Sequence, residues 1–283
     1  MAKEDLNGLI IINKPTNMTS RDVVNILCKK LQTKSIGHIG TLDPIATGVL
    51  VCLIGKYTKL TNILMNHDKE YIASFKLGLL TDTLDITGKI LKEDSYNINK
   101  EIVERVLNSF IGTYNQEVPI YSAVKINGKK LYEYARQNEQ IDLPKREVII
   151  YSLDLLSIED GIITIKTKVS KGTYIRSLIR DIGIKLETNA TMTSLKRTKL
   201  GNFNLEDAYS LEDIDNNNYK ILLLEDFLDL EIINLNDNDY FKVKNGQILD
   251  INTNKYILFK YQNNNVALYQ KYQNKVKPLI MFK

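Results

Sequence analysis

The chain has 283 residues, enough to bury the core of one large domain and one small domain. Apolar residues make up 43% and charged residues 25%, as in an ordinary globular protein. No stretch has the length of a membrane span, and the N-terminus lacks a signal-peptide pattern, which argues against a membrane protein and predicts a cytoplasmic location.

The net charge of +4 is distributed unevenly. Residues 164–199 carry nine Lys/Arg against two acids, and residues 231–283 carry eight Lys against four acids. Such basic segments favour a polyanion partner on one face, although a solvated surface would have the same composition.

Cysteine and histidine are scarce. Cys28 and Cys52 both lie in apolar runs, which is typical of reduced, buried thiols. With His38 and His67 as the only histidines, a metal site is not expected.

The first elements predicted along the chain are a strand at Leu9 to Ile12 and a helix. The helix is indicated by a capping box, Thr19 to Asp22, ahead of apolar residues at helical spacing. The stretch IINKPTNMTS leads into that box.

A loop follows at residues 37–48, GHIGTLDPIATG, and it precedes a continuous apolar strand, residues 49–54. Its glycines permit tight turns, and Asp43 before Pro44 is biased to an extended backbone, so the loop presents one carboxylate on a rigid element. A turn in which Asp43 hydrogen-bonds its own backbone is the alternative. GHIGTLDPIATG resembles the catalytic motif of the TruB family, the bacterial stand-alone tRNA pseudouridine-55 synthases. The resemblance implies that Asp43 is the catalytic nucleophile and that IINKPTNMTS is the family's first motif, whose Lys-Pro pair supports the loop.

A short helix is predicted at Leu60 to Met65 and an alternating strand at Glu70 to Leu77. Tyr71 points to the core side of that strand, where a plain core tyrosine is the alternative reading. DKEY resembles the family's second motif, which implies that Tyr71 stacks on the target base. The resemblance also gives His38 a stacking role in base extrusion.

The next segment combines a polar turn, a helix and a basic, tyrosine-rich insertion. TDTLDITG, residues 81–88, resembles the family's structural TDT segment, and Asn99 caps a helix that stops at Gly112. Residues 119–147 contain an Asn-Gly turn and mix bases with tyrosines, which suits RNA or an amphipathic surface hairpin. The segment resembles the family's insertion for the tRNA T-stem loop, of a stand-alone rather than guide-RNA-dependent type. The RNA-binding residues expected in it are Lys125, Lys129, Lys130 and Arg146.

Two strands, Glu147 to Ser157 and Ile162 to Val169, form a predicted hairpin that leads to SKGTYIRS, residues 170–177, and a helix. Arg176 falls in the first helical turn, where the dipole disfavours a cation and invites Asp43, a phosphate or a surface acid as partner. SKGTYIRS matches the family's third motif, and TSLKRTKLGNF, residues 193–203, resembles a family strand. The roles implied are Arg176 pairing with Asp43, Tyr174 bordering the pocket and Leu195 against the base. Lys171 and Arg197 are expected to bind RNA.

The C-terminal part is predicted to contain an apolar helix, Ile221 to Leu228, and then short strands with Asn/Gly/Asp turns. Its VKNGQ segment resembles a compact PUA domain. The resemblance therefore implies a mixed α/β pseudouridine synthase fold, with a central largely antiparallel sheet and flanking helices. The expected domains are residues 1–230, catalytic, and residues 231–283, an all-β PUA-like RNA-binding domain.

The implied reaction is the isomerisation of uridine-55 in the T loop of tRNA, without a cofactor, by a monomer with no obligate protein partner. Asp43 would attack C1′ or C6, or remove the C2′ proton. Two alternatives stay open: a glycoside or nucleoside hydrolase that pairs Asp43 with Asp82 or Asp85, and a non-catalytic RNA-binding protein.

Overall fold

The computed structural model describes residues 6–97 and 99–282, so the outer ends of both expected domains, residues 1–5 and Lys283, lie outside the described part. The strands are β1 Gly8–Lys14, β2 Ile36–Ile39, β3 Thr47–Ile54, β4 Lys69–Leu77, β5 Leu79–Thr81, β6 Ile90–Glu93, β7 Gly112–Glu117, β8 Lys125–Ile126, β9 Lys129–Lys130, β10 Lys145–Glu159, β11 Ile162–Val169, β12 Ala190–Leu200, β13 Phe203–Asn204, β14 Leu230–Asn234, β15 Tyr256–Tyr261, β16 Asn264–Tyr272 and β17 Lys275–Met281. The helices are α1 Ser20–Lys30, α2 Thr61–Leu64, α3 Lys100–Asn108, α4 Leu131–Arg136, α5 Ile175–Lys185, α6 Leu211–Asp215, α7 Leu224–Phe227 and α8 Asp237–Lys244, with 3-10 turns at Gly55–Leu60 and Leu205–Asp207.

A nine-stranded sheet forms the centre of the molecule, in the order β1-β3-β12-β4-β11-β10-β7, with β2 beside β3 and β13 beside β12. Its pairs are antiparallel except β3 with β12. Gly48 permits this junction, because a Cβ there would lie 2.2 Å from the carbonyl oxygen of Arg197. The expected mixed fold with a largely antiparallel central sheet is confirmed.

Helices cover the sheet through apolar faces. In one core cluster α5 contributes Leu178 and Ile182 against Phe75 and Ile165 of the sheet. In another, α1 contributes Val23 and Leu27 against the strands β1 and β3. Burying each such side chain stabilises the fold by about 1.5–3 kcal/mol, so these contacts fix where the strand ends and their loops lie.

The C-terminal part is a four-stranded sheet, β14-β15-β16-β17, with α8 packed on it. The tail was expected to be all-β, but it is β-rich with one helix. That helix, α8, begins where the side chain of Asn236 caps its N-terminus. The tail also shares a core with the N-terminal half, since Leu258, Leu268 and Ile280 cluster with Leu9 and Tyr57.

Two local predictions differ from the structure. The helix expected at Ile221 to Leu228 is wrong in extent, because Leu222 hydrogen-bonds Leu9 as a bridge and only Leu224–Phe227 is helical. The helix expected at Leu60 to Met65 is a 3-10 turn followed by α2, Thr61–Leu64. In the described part of the chain no helix is long and apolar enough to cross a membrane.

Candidate functional site

The site is a cavity of about 830 Å³ between the β2–β3 loop, the start of β4, the segment before α5, and β12. The sequence-predicted residues that line it are His38, Asp43, Tyr71, Arg146, Lys171, Tyr174, Arg176, Leu195 and Arg197. The three insertion lysines, Lys125, Lys129 and Lys130, are not part of its lining.

The loop that carries Asp43 is fixed by the turn between β1 and α1. Lys14 Nζ donates to the carbonyl oxygens of Met18 at 2.6 Å and of Pro44 at 3.3 Å. The Leu42 amide donates to Ser20 Oγ at 2.9 Å. Burial lowers the pKa of Lys14 to about 8, and the negative charge of Asp43 opposes that shift. The Lys14 ammonium thus ties the first motif to the carboxylate loop.

Arg176 holds the Asp43 carboxylate with two nitrogens. Its Nε lies 2.9 Å from Oδ2 and its Nη2 donates to Oδ1 at 3.1 Å, a bidentate geometry that fixes the carboxylate plane. The arginine side chain is 6% exposed, while that of Asp43 is 37% exposed, so the acid is the member of the pair that faces the cavity. The sequence left Asp43, a phosphate or a surface acid as the partner of Arg176, and in the structure Asp43 forms the ion pair.

The rest of the guanidinium is bound by backbone. Nη1 donates to the Thr83 carbonyl at 2.8 Å, and Nη2 donates to the Tyr121 carbonyl at 3.0 Å. Because Tyr121 belongs to the insertion 119–147, the segment expected to hold RNA contacts the partner of Asp43 directly.

The two acids offered as partners of Asp43 for hydrolysis lie outside the cavity. Asp85 is on the far side of the guanidinium, 3.9 Å from Arg176 Nη1, and its Oδ1 accepts hydrogen bonds from the amide and hydroxyl of Thr87. Asp82 accepts from the Lys89 amide and the Tyr121 hydroxyl. The described geometry therefore offers one carboxylate to a substrate, not a facing pair, and disfavours the hydrolase.

The apolar wall of the cavity comes from neighbouring strands. Tyr71 on β4 is 6% exposed, and its backbone lies opposite Arg197 on β12. Leu195 lies opposite Ala73 in the same pair of strands and is likewise buried. An aromatic ring and a leucine beside a carboxylate suit a planar base.

Tyr174 is positioned by a residue that the sequence analysis missed. Gln116, fully buried on β7, accepts from the Tyr174 amide at 2.7 Å and donates to the Tyr174 carbonyl at 3.0 Å. The Arg146 guanidinium lies 5.8 Å from the centre of the Tyr174 ring. The only sequence signal was a glutamine at a position that the fold buries.

His38 lines the cavity from β2, opposite Cys52 on β3. Burial, together with the charges of Arg21 and Arg197, lowers the pKa of His38. Its Nδ1 is buried with no hydrogen-bond partner among the described residues. The neutral form of His38 is thus favoured at the start of the loop that carries Asp43.

The insertion contains the predicted hairpin, β8 and β9, with Asn127 and Gly128 both at positive φ. The Lys129 ammonium lies 4.3 Å from the centre of the Tyr134 ring and 2.7 Å from a carboxylate oxygen of Glu139. Lys130 lies over the ring of Tyr132 at 5.3 Å. These cations form a separate surface outside the cavity.

Comparison with known proteins identifies the family. Residues 28–175 match the model of the TruB family pseudouridylate synthase N-terminal domain, and residues 176–232 match the tRNA pseudouridylate synthase B C-terminal domain. The tRNA pseudouridine synthase B of Fusobacterium nucleatum subsp. nucleatum is 50% identical over 201 residues, covering 71% of this chain and 70% of that protein. The protein of the same name from Lactobacillus acidophilus is 40% identical over 291 residues, covering 98% of each chain. A crystal structure of a Cbf5-Nop10-Gar1 complex gives a TM-score of 0.67 at 26% identity, covering 93% of this chain and 78% of that chain. The chain therefore belongs to the TruB family of pseudouridylate synthases.

Proposed function

We propose that this protein isomerises uridine-55 in the T loop of tRNA to pseudouridine. The observation that carries the proposal is the Asp43 carboxylate, held by two nitrogens of Arg176 and exposed at the edge of a cavity large enough for one extruded nucleotide. Relatives at 40–50% identity are named tRNA pseudouridine synthase B, which supports tRNA as the substrate.

The chemistry needs one carboxylate and a way to hold the base. The N-glycosidic bond of the uridine breaks, the uracil rotates without leaving, and C5 then bonds to C1′ while the C5 proton is lost. Asp43 acts as nucleophile at C1′ or C6, or removes the C2′ proton. Nothing is oxidised and no group is donated, so the atoms balance without a cofactor.

The aromatic and apolar lining keeps the base in place during that rotation. Tyr71 stacks on the uracil, and its hydroxyl serves in the C5 deprotonation. Leu195 and Tyr174 border the base on other sides of the cavity, and His38 helps to extrude it.

RNA affinity comes mainly from cations around the cavity. Arg146, Lys171 and Arg197 contact the strand that enters, while the insertion, residues 119–147, grips the T stem with its lysines Lys125, Lys129 and Lys130. Residues 231–283 act as a PUA-like RNA-binding domain beside a catalytic domain of residues 1–230. The enzyme works in the cytoplasm as a monomer without a protein partner.

The test is to incubate the protein with unmodified tRNA and map pseudouridine by position, with Asp43→Asn as the inactive variant. Asp160→Asn is a matched control, because Asp160 lies in the β10–β11 turn at φ 49°, which asparagine adopts readily. We expect product at position 55 from the wild type and from the control, and RNA binding without product from Asp43→Asn. Free uracil would mean a hydrolase, and binding without any modified base would mean an RNA-binding protein.

A further inference from the structure

Arg197 is a buried cation whose described partners are all backbone carbonyls. Its side chain is 1% exposed, Nε donates to the Val49 carbonyl at 2.7 Å, and Nη2 donates to the Gly40 carbonyl at 3.1 Å. No carboxylate forms an ion pair with it in residues 6–97 and 99–282. A buried guanidinium without a counter-charge is costly, which calls for an anion that arrives with the substrate.

Lys69 borders the same space. Both side chains approach Gly40, since a Cβ at that residue would lie 3.5 Å from Arg197 Nη1 and 3.9 Å from Lys69 Cε. Gly40 has φ +66° and no side chain, so no Cβ occupies the position next to the two cations. Within the described part of the chain, Lys69 Nζ donates only to backbone, to the His67 carbonyl at 2.8 Å and the Met65 carbonyl at 3.4 Å.

The electrostatics agree with this geometry. Burial, together with the charges of Arg197 and Lys171, lowers the pKa of Lys69 to about 8, while the charge of Asp68 opposes that shift. Lys171 is itself bound through its ammonium to Asn66 Oδ1 at 2.9 Å. This end of the cavity thus carries excess positive charge, whereas the other end holds the compensated pair of Asp43 and Arg176.

Position along the strands relates this charge to the base. Lys69 and Tyr71 are two residues apart on β4 and share one side of the strand, about 7 Å from each other along it. Arg197 lies directly opposite Tyr71 on β12. A nucleotide whose base rests on Tyr71 therefore brings a backbone phosphate toward Lys69 and Arg197.

We propose that Arg197 and Lys69, both next to Gly40, form a subsite for one phosphodiester flanking the target uridine. The inference rests on the proposed function. It adds that part of the cavity recognises the sugar-phosphate chain of the extruded nucleotide. Because Lys69 and Arg197 line the same cavity as Asp43 and Tyr71, the contact stabilises the extruded nucleotide there and acts on the rate as well as on affinity.

The test pairs a protein variant with a chemical change in the RNA. T-arm stem-loops carry one uncharged methylphosphonate, either 5′ or 3′ of the target uridine, and are compared with the unmodified stem-loop. Each RNA is assayed for single-turnover rate and affinity with the wild type, with Lys69→Met, and with Lys76→Met. Lys76 lies on the same strand outside the cavity and is the matched control.

We expect one of the two methylphosphonates to slow the wild type and Lys76→Met by about ten- to a hundredfold, the size of a lost hydrogen bond to a charged group. Lys69→Met should be slowed on unmodified RNA and lose several-fold less than the wild type on that methylphosphonate, since only the contact of the phosphate with Arg197 is left to lose. Additive losses in Lys69→Met, or a wild type indifferent to both methylphosphonates, would overturn the subsite. The proposed function is judged separately, by whether the wild type converts the unmodified stem-loop. If no product forms, the affinities of the three proteins for the three RNAs still test the subsite by the same comparison.

Discussion

Replacing Arg176 with lysine isolates the value of the two-nitrogen grip on Asp43. The variant keeps the positive charge, but an ammonium cannot donate two parallel hydrogen bonds to one carboxylate. It therefore loses one charge-assisted hydrogen bond to Asp43, worth about 1.5–3 kcal/mol. Since the Asp43 side chain is 37% exposed, solvent screens the pair and the lower end, about 1.5–2 kcal/mol, applies. That corresponds to a rate about 10- to 30-fold lower.

Arg176→Lys should also lower the free energy of unfolding. A lysine at this position reaches fewer acceptors, so the Thr83 or the Tyr121 carbonyl loses a donor that the arginine supplies. Loss of a donor by such a partly buried carbonyl costs about 1 kcal/mol, the lower end of the range for buried groups, which a thermal melt detects as a lower Tm. A variant that melts lower but stays folded at the assay temperature still reports the catalytic effect.

The assay is single-turnover pseudouridine formation with enzyme in saturating excess over tRNA, with affinity titrated separately. Arg180→Lys is the control, because Arg180 lies one turn further along α5, pairs with Glu117 and Asp181, and does not line the cavity. We expect the control to keep its rate within about threefold, and Arg176→Lys to keep its affinity. A rate for Arg176→Lys within about twofold of the wild type would refute the argument from geometry.

Changes at Tyr71, at Lys69 and in the tail test the site and the shared core. Tyr71→Phe should lose rate with little change in affinity while Tyr71→Ala also weakens affinity, because only phenylalanine keeps the stacking face; a fully active Tyr71→Phe would leave the hydroxyl without a role. Affinity for the stem-loop should fall as pH rises through about 8, which is the pKa of Lys69 in the free protein, because a bound phosphate favours the protonated form of Lys69. Titrations of affinity from about pH 7 to 8.5 should show this fall in the wild type and less of it in Lys69→Met. A chain that ends at Asp229 should melt at least about 10 °C lower, because Leu258 and Ile280 leave the shared core; an unchanged Tm would show that the tail is an independent unit.

Local signals in the sequence predicted the elements whose ends are set by neighbouring residues. Thr19 caps α1 in a reciprocal box with Asp22, as its spacing indicated. The Asn99 side chain accepts from the Ile102 amide at 2.9 Å and begins α3. The Asp160-Gly161 turn joins β10 and β11 as expected. In each case donor and acceptor lie within three or four residues of each other, so the sequence contains the whole interaction.

The elements that were missed depend on partners far along the chain. Apolar spacing at residues 221–228 favoured a helix, but pairing of Leu222 with Leu9 takes its first residues into a bridge. The helix α8 carried its own capping signal in Asn236, which the surrounding strand-like pattern obscured.

The candidate site could be predicted only as a set of residues. Motif resemblance named Asp43, Tyr71 and Arg176 in order, and the structure places all three in one cavity. The motif resemblance gave no sign of the contacts made by backbone carbonyls, because any residue type supplies a carbonyl. Gln116 and Lys69 were missed for a similar reason, since each acts through a location that only the folded sheet creates.

The core shared by the tail and the N-terminal half cannot be completed until the end of the chain has been synthesised. Strand β17 supplies Ile280 to a cluster that includes Leu9 and Tyr57, and the Phe282 ring lies 6.2 Å from that of Tyr57. Roughly two hundred residues separate the two halves of this cluster, so the ribosome takes on the order of 10–40 s to bring them together. During that interval the early apolar surface is open to chaperones and proteases. A message cut short before β17 should therefore yield a chain that is degraded, not a smaller enzyme.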